Sequence, residues 1–265
     1  MQKAFEYKGG NVSYSVSGSG RPVILVHGFA EDSRIWDCQV DFLKQHCLVI
    51  VPDLPGSGLS AYSPGLQSFD DFADCLLALS QKEGINTCIM LGHSMGGYIT
   101  LAFAEKHPGC LVAFGFVHST AFADSEEKKQ NRLKGIKMMD EYGGYAFIKS
   151  TTPNLFSVAY KQRFADKVND LIENGINFKK EALQQYYRAM MGRPDRTIVL
   201  RNSKTPVLFI AGTEDVAAPL NDVLQQVHLP ETCYIHILQN TGHMGMWEAT
   251  DAVNKYVLQF IEDTE

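Results

Sequence analysis

Basic residues are in the minority in this chain, and nowhere are they gathered into a patch. Lys and Arg number 24 against 30 Asp and Glu, a formal net charge of −6 over 265 residues. Without a basic cluster, nucleic acid and anionic membrane surfaces are disfavoured as partners. No apolar run is long enough to cross a bilayer, and the N-terminus enters polar, strand-like sequence at once rather than a signal peptide. The six cysteines, Cys38, Cys47, Cys75, Cys88, Cys110 and Cys233, form no C-x-x-C pair and show no metal-ligand spacing. Most sit in apolar segments, where a free thiol behaves as a small hydrophobe. No metal, no cofactor and no membrane or nucleic-acid partner is expected, and a reducing cytoplasm is the expected location.

What is present is a rhythm. A chain of 265 residues with 45% hydrophobic content suits one large α/β domain with a substantial core. Short apolar runs at Val23–Val26, Leu48–Val51, Cys88–Leu91, Leu111–Val117, Val207–Ala211 and Tyr234–Leu238 read as buried strands. Val12 to Val16 and the Gly18-Ser19-Gly20 turn suggest an N-terminal hairpin, which makes eight strands. Helical spacing covers Trp36–Gln45, Phe69–Lys82, Met95–Lys106, Leu220–Val227 and Met246–Glu262. Such alternation implies a mostly parallel sheet covered on both faces.

The run Gly92-His93-Ser94-Met95-Gly96 falls between a strand and a helix. That is the context in which G-x-S-x-G means a nucleophile elbow, with the serine on a sharp turn beside a helix N-terminus. A serine hydroxyl is a weak nucleophile and needs a base. Of eight histidines, His243 is the candidate, on the loop beyond the last strand. His46, His107 and His228 fit packing, capping or surface roles, His236 alternates within a strand, and His93 reads as support for its neighbour Ser94. The acid should fix the imidazole tautomer. Asp215, after the strand ending at Gly212, is preferred to the solvated Glu214, with Asp124 as the weaker alternative after the preceding strand. The backbone N–H groups of Phe29, in the His27-Gly28-Phe29 turn, and of Met95 are the candidate oxyanion donors.

In these residues the chain resembles the α/β-hydrolase superfamily, of the compact esterase and lipase-like type. Trp36 after the His27-Gly28-Phe29 turn, and the run Asp53-Leu54-Pro55-Gly56-Ser57-Gly58-Leu59-Ser60, match it too; the latter run is assigned to scaffold. The order Ser94, Asp215, His243 is the superfamily's order. Serine at position 94 separates the chain from the dehalogenase and epoxide hydrolase branches, and Phe29-Ala30 after Gly28 from the Gly-Gly-Gly branch.

Between about Ala121 and Asn202 the rhythm breaks into charged, aromatic, helical sequence, with helices expected at Glu126–Tyr142, Val158–Asn174 and Lys179–Met191. We read residues 121–202 as a helical cap inserted into a body made of 1–120 and 203–265, over the strand ends where α/β sheets bind ligands. Candidate pocket residues are Trp36, His118, Phe122, Phe147, Tyr187, Met190, Val216 and Met244. Arg193 and Arg196 could meet a substrate carboxylate, although pairing with nearby acids at the surface is the simpler reading. The expected function is a serine hydrolase, monomeric or homodimeric, that cleaves a small-molecule ester or related acyl compound through an acyl-enzyme. A triad-bearing ligand receptor, or a perhydrolase, carbon–carbon hydrolase or lyase reaction on the same triad, stays open, because fold does not fix the reaction.

Overall fold

Val23, Ile24, Leu25 and Val26 are all fully buried, because successive side chains of their strand enter different cores. Val23 and Leu25 join a layer with Val49, Ile89, Ala113, Leu208 and Ile210, whereas Ile24 and Val26 join Ile50, Met90, Phe114, Phe116 and Phe209 on the opposite face. A period of two with both faces covered explains why these strands are continuous apolar runs.

The computed structural model describes residues 1–264, which form an eight-stranded sheet between two helical layers. The strands are β1 (Gln2–Tyr7), β2 (Gly10–Ser17), β3 (Pro22–Val26), β4 (Leu48–Pro52), β5 (Cys88–His93), β6 (Leu111–Val117), β7 (Val207–Gly212) and β8 (Cys233–Leu238). Their spatial order is β1-β2-β4-β3-β5-β6-β7-β8. β1 and β2 are antiparallel to their neighbours, and β3 to β8 run parallel. The hairpin turns at Lys8-Gly9, not at Gly18-Ser19-Gly20. The latter turn instead carries the chain past β4 into β3, since Tyr14 to Ser17 pair with β4.

Before the mid-chain insertion come α1 (Asp37–Leu43), α2 (Phe69–Lys82) and α3 (Met95–Lys106). α2 starts at a capping box, Ser68 with Asp71, and buries Phe69, Phe72, Leu76 and Leu79 along one stripe against α3. Between β6 and β7 lie α4 (Glu126–Tyr142), α5 (Gly144–Thr151), α6 (Val158–Arg163), α7 (Ala165–Asn174), α8 (Lys180–Gly192) and α9 (Thr197–Asn202). After β7 come α10 (Leu220–Leu224), α11 (Gly245–Glu248) and α12 (Thr250–Asp263), the last packed on α1.

Two expected helices are broken. The Val158–Asn174 stretch leaves helical backbone at Phe164, whose ring packs on Tyr160. The Met246–Glu262 stretch starts one residue earlier and breaks at Ala249 (φ −137°, ψ 47°). That second break has a consequence for the site. It sets α11 at its own angle, so that the Glu248 carboxylate accepts N–H groups from Ser157 (3.0 Å) and Gly242 (3.1 Å) and clamps the loop that carries His243. No helix among the described residues is long and apolar enough to cross a membrane.

The inserted helices lie against loops at the carboxyl ends of the strands. Tyr186 Oη donates to the Pro55 carbonyl, the Gln185 amide donates to that of Ser63, and the His243 N–H donates to that of Leu155. These contacts set α8 and the turn at Leu155 against the end of the sheet where Ser94 emerges, whereas α9 packs beside α3 and leads into β7.

Candidate active site

Ser94 stands at the tip of β5 with φ 50° and ψ −115°, a conformation that costs a non-glycine residue about 1–3 kcal/mol. From Cys88 to Ala104 it is the one residue that is not buried. The turn is possible because its flanks lack side chains. A Cβ on Gly92 would lie 2.2 Å from the Gly96 carbonyl, and one on Gly96 would lie 2.3 Å from the Val26 carbonyl oxygen. Both obstacles are backbone and cannot rotate away. Gly96→Ala should therefore destabilise the chain by about 1–3 kcal/mol or more, read as a fall in denaturation midpoint with unchanged m-value. An unaltered midpoint would contradict this packing.

His243 follows β8 and is 3% exposed. Its Nδ1 lies 2.8 and 3.0 Å from the two carboxylate oxygens of Asp215, which follows β7 and is itself 5% exposed. Because a carboxylate only accepts, Nδ1 carries the proton and Nε2 is left as the basic atom. Burial opposes charging His243, but the Asp215 carboxylate more than offsets it, and the imidazole is held above its ordinary pKa. Burial likewise opposes ionising Asp215. The two histidines beside it prevail and hold its carboxyl far below the usual range.

The second of those histidines is His118, at the end of β6. Its Nδ1 donates to Asp215 Oδ2 at 3.0 Å, and the ring is fully buried with φ 55°. Burial lowers its pKa, so it stays neutral, and its Nε2 faces Gly245 without a hydrogen-bond partner. Asp215 Oδ1 also accepts the N–H groups of Ala217 and Ala218, both at 2.9 Å. The carboxylate thus has four donors. His118, Asp215 and His243 are also the one group among the described residues with metal-ligand atoms within 4.8 Å of one another. Their facing atoms are committed to these hydrogen bonds.

The His27-Gly28-Phe29 turn is fixed from both sides. His27 Nε2 accepts the Leu54 N–H at 3.0 Å, so Nδ1 carries the ring proton and donates to the Gly28 carbonyl at 2.8 Å. In a trans peptide the N–H opposes the C=O. Pinning the Gly28 oxygen therefore turns the Phe29 N–H the other way, and neither it nor the Met95 N–H donates to another group among the described residues. On the other side, the buried Glu31 carboxylate accepts the Gly28 N–H at 2.7 Å and lies 2.9 Å from His93 Nδ1. His93 Nε2 in turn donates to the His243 carbonyl at 3.0 Å. Because that carbonyl requires Nε2–H, His93 and Glu31 share one further proton between Nδ1 and the carboxylate. One acid thus ties together the turn at Gly28, the elbow and the His243 loop.

The other sequence candidates fall in different places. Phe122 and Tyr187 are partly exposed, and the Tyr187 ring stacks on Phe29 with centroids 4.6 Å apart. Phe147 is buried edge-on to both rings. Trp36, Met190 and Met244 are packed into the body's cores, so they support the site rather than face it. His118 is not a wall residue but a partner of Asp215, while Val216 is a solvent-exposed neighbour of Asp215. Asp124 is not near His243; it is held by Arg132 and Arg193. Arg193 and Arg196 do pair with acids, as expected, but buried rather than at the surface. Glu31 went unrecognised in the sequence. An acid three residues beyond His27-Gly28 was its only signal.

Comparison with known proteins agrees with this architecture. A profile of the Alpha/beta hydrolase family matches residues 23–256. The chain is 27% identical to the dihydrolipoyllysine-residue acetyltransferase component of the acetoin cleaving system of Pseudomonas putida, over 91% of this chain; it spans 64% of that longer relative. It is 22% identical to the (E)-2-((N-methylformamido)methylene)succinate hydrolase of Acinetobacter baylyi, over 95% of this chain and 94% of that one. Among solved structures, the malate-bound thermophilic esterase from Thermogutta terrifontis superposes with a TM-score of 0.92 at 26% identity, over 96% and 94% of the two chains. The chain belongs to the α/β-hydrolase family.

Proposed function

We propose that this protein is a serine hydrolase that cleaves a small carboxylic ester or related acyl compound by way of an acyl-enzyme. Ser94 Oγ attacks the carbonyl carbon while His243 Nε2 takes its proton. The Phe29 and Met95 N–H groups hold the oxygen as it becomes negative, and α3 adds the positive end of its dipole. His243 then returns the proton to the leaving oxygen. Water, activated by the same nitrogen, releases the acid and frees Ser94. Asp215 fixes the tautomer that leaves Nε2 basic and stabilises the imidazolium as it forms. The observation that carries the reading is the Asp215–His243 pair fastened, through His93, to the residue adjoining a strained, partly exposed serine. The esterase likeness supports the acyl-transfer class.

Turnover of p-nitrophenyl acetate and butyrate is the direct test, with a pre-steady-state burst if deacylation is slow. The pH profile adds a sign. Asp215 favours the protonated form of His243, and only the neutral form can accept the serine proton. kcat/KM should therefore be low in acid and rise through a midpoint above the ordinary histidine value of about 6.5. A flat profile from about pH 5 to 8 with a slow ester would exclude His243 as the base.

A further inference from the structure

Asp124 is fully buried where the inserted segment begins, and two guanidiniums converge on it. Arg132 Nε lies 2.5 Å from Oδ2 and its Nη2 3.3 Å from Oδ1, while Arg193 Nη1 lies 2.8 Å from Oδ1. One negative charge is thus shared by two positive ones in a site largely closed to water, and Asp124 is the one carboxylate paired with Arg132 among the described residues. The two arginines are not equivalent. Arg193 is 7% exposed, lies 3.8 Å above the Tyr98 ring, and donates through Nε to the Phe122 carbonyl and through Nη1 to that of Met190. Arg132 is partly exposed, donates to no backbone carbonyl among the described residues, and besides Asp124 it faces the Tyr187 hydroxyl within hydrogen-bonding reach.

Location gives that partly exposed guanidinium a meaning. The Arg132 guanidinium sits 5.0 Å from the Tyr187 ring centroid, and Tyr187 stacks on Phe29, whose N–H is the proposed oxyanion donor. Tyr98, beneath Arg193, lies in the first turn of α3 after Ser94. Ser94, Phe29, Phe122, Tyr187 and Arg132 are all partly exposed. An uncompensated cation in a poorly solvated site attracts an anion, and a guanidinium matches a carboxylate in shape.

We infer that Arg132 binds a carboxylate of the substrate, and that the substrate is an acyl compound with a second, free carboxylate, such as the half-ester of a dicarboxylic acid. Asp124 and Arg193 hold Arg132 in place for it. This inference rests on the serine-hydrolase reading. Both the scissile carbonyl and the free carboxylate would lie along the Phe29–Tyr187–Arg132 wall, the carbonyl at the Phe29 end.

The test compares substrates that differ only in that charge: monoethyl succinate with ethyl butyrate, and monoethyl adipate with ethyl hexanoate. The wild type should prefer the half-ester of a pair by about 10- to 100-fold in kcat/KM, the worth of one charge-assisted hydrogen-bonded contact. Arg132→Gln should bring that ratio towards one, while Arg132→Lys should keep part of it. Arg132→Gln leaves Asp124 and Arg193 paired one to one, and a thermal melt identifies any unfolded variant. Free succinate should inhibit wild-type turnover of p-nitrophenyl acetate more strongly than free butyrate, a measurement that needs no variant. Wild type that prefers the neutral ester of both pairs, while a fluorophosphonate still labels Ser94, would overturn the carboxylate subsite alone. Failure of both labelling and turnover would overturn the hydrolase reading, and this inference with it.

Discussion

Ser94→Ala should lower kcat for p-nitrophenyl acetate by about 10⁴–10⁶ and leave the fold unchanged. The size of the loss follows from the elbow's geometry. The hydroxyl is held at a strand tip with φ 50°, and every other residue from Cys88 to Ala104 is buried, so no neighbour can replace it. Alanine retains the Cβ and the main-chain hydrogen bonds that fix the turn: the Ser94 N–H to the Val117 carbonyl at 3.0 Å, and the Ser119 hydroxyl to the Ser94 carbonyl at 2.7 Å. None of these involves Oγ. Residual activity should come from the Phe29 and Met95 donors acting on a bound ester attacked by water, which supplies some catalysis without a nucleophile. Loss of activity with an unchanged melt, and loss of fluorophosphonate labelling, is the expected pattern. A pure variant that kept a tenth of wild-type turnover would mean that the reaction does not begin at this serine.

Most of the body was legible in the sequence because strands buried on both faces are continuous apolar runs, and Val23–Val26 or Val207–Ala211 admit no other reading. The loops that carry Ser94, Asp215 and His243 were locatable for a related reason: each comes after such a run. The structure brings Asp215 and His243 together and puts Ser94 beside His93, which holds the His243 loop. What escaped was decided by partners far away in the chain. His118 looked like any residue after a strand, and only the fold sets it against Asp215, 97 positions later. Glu31 is an ordinary loop acid until His93, 62 positions on, closes over it. Trp36 and Met244 pack into a core cluster, which their sequence did not reveal because apolar side chains near a site look alike, whichever side of the loop they pack on. The break at Ala249 carries no helix-breaking residue; it goes with the two loops that Glu248 reaches, at Ser157 and at Gly242.

Asp215→Asn should lower kcat by about 10³–10⁴, and the reason lies in which atoms face it. Oδ1 accepts the N–H groups of Ala217 and Ala218, so the amide of an asparagine must place its oxygen there and its NH2 at the Oδ2 position. That position faces His243 Nδ1 at 2.8 Å and His118 Nδ1 at 3.0 Å, both of which carry hydrogens in the native site. Donor would meet donor twice. Each ring can relieve the conflict by moving its proton to Nε2, and for His243 that blocks the nitrogen that must take the Ser94 proton. For His118 the moved proton would face the unpartnered pocket at Gly245, a buried N–H without an acceptor, at a cost of about 1–3 kcal/mol. The variant should therefore be both slow and less stable. With the carboxylate gone, the support that holds the His243 pKa up is also removed, so the remaining activity should rise with pH through a lower midpoint than in the wild type. Glu214→Gln, one exposed residue away, should alter neither rate nor profile. Steady-state kinetics across pH for the two variants decide the assignment: reversed effects would shift the acid to Glu214, and no effect from either would remove it from this loop.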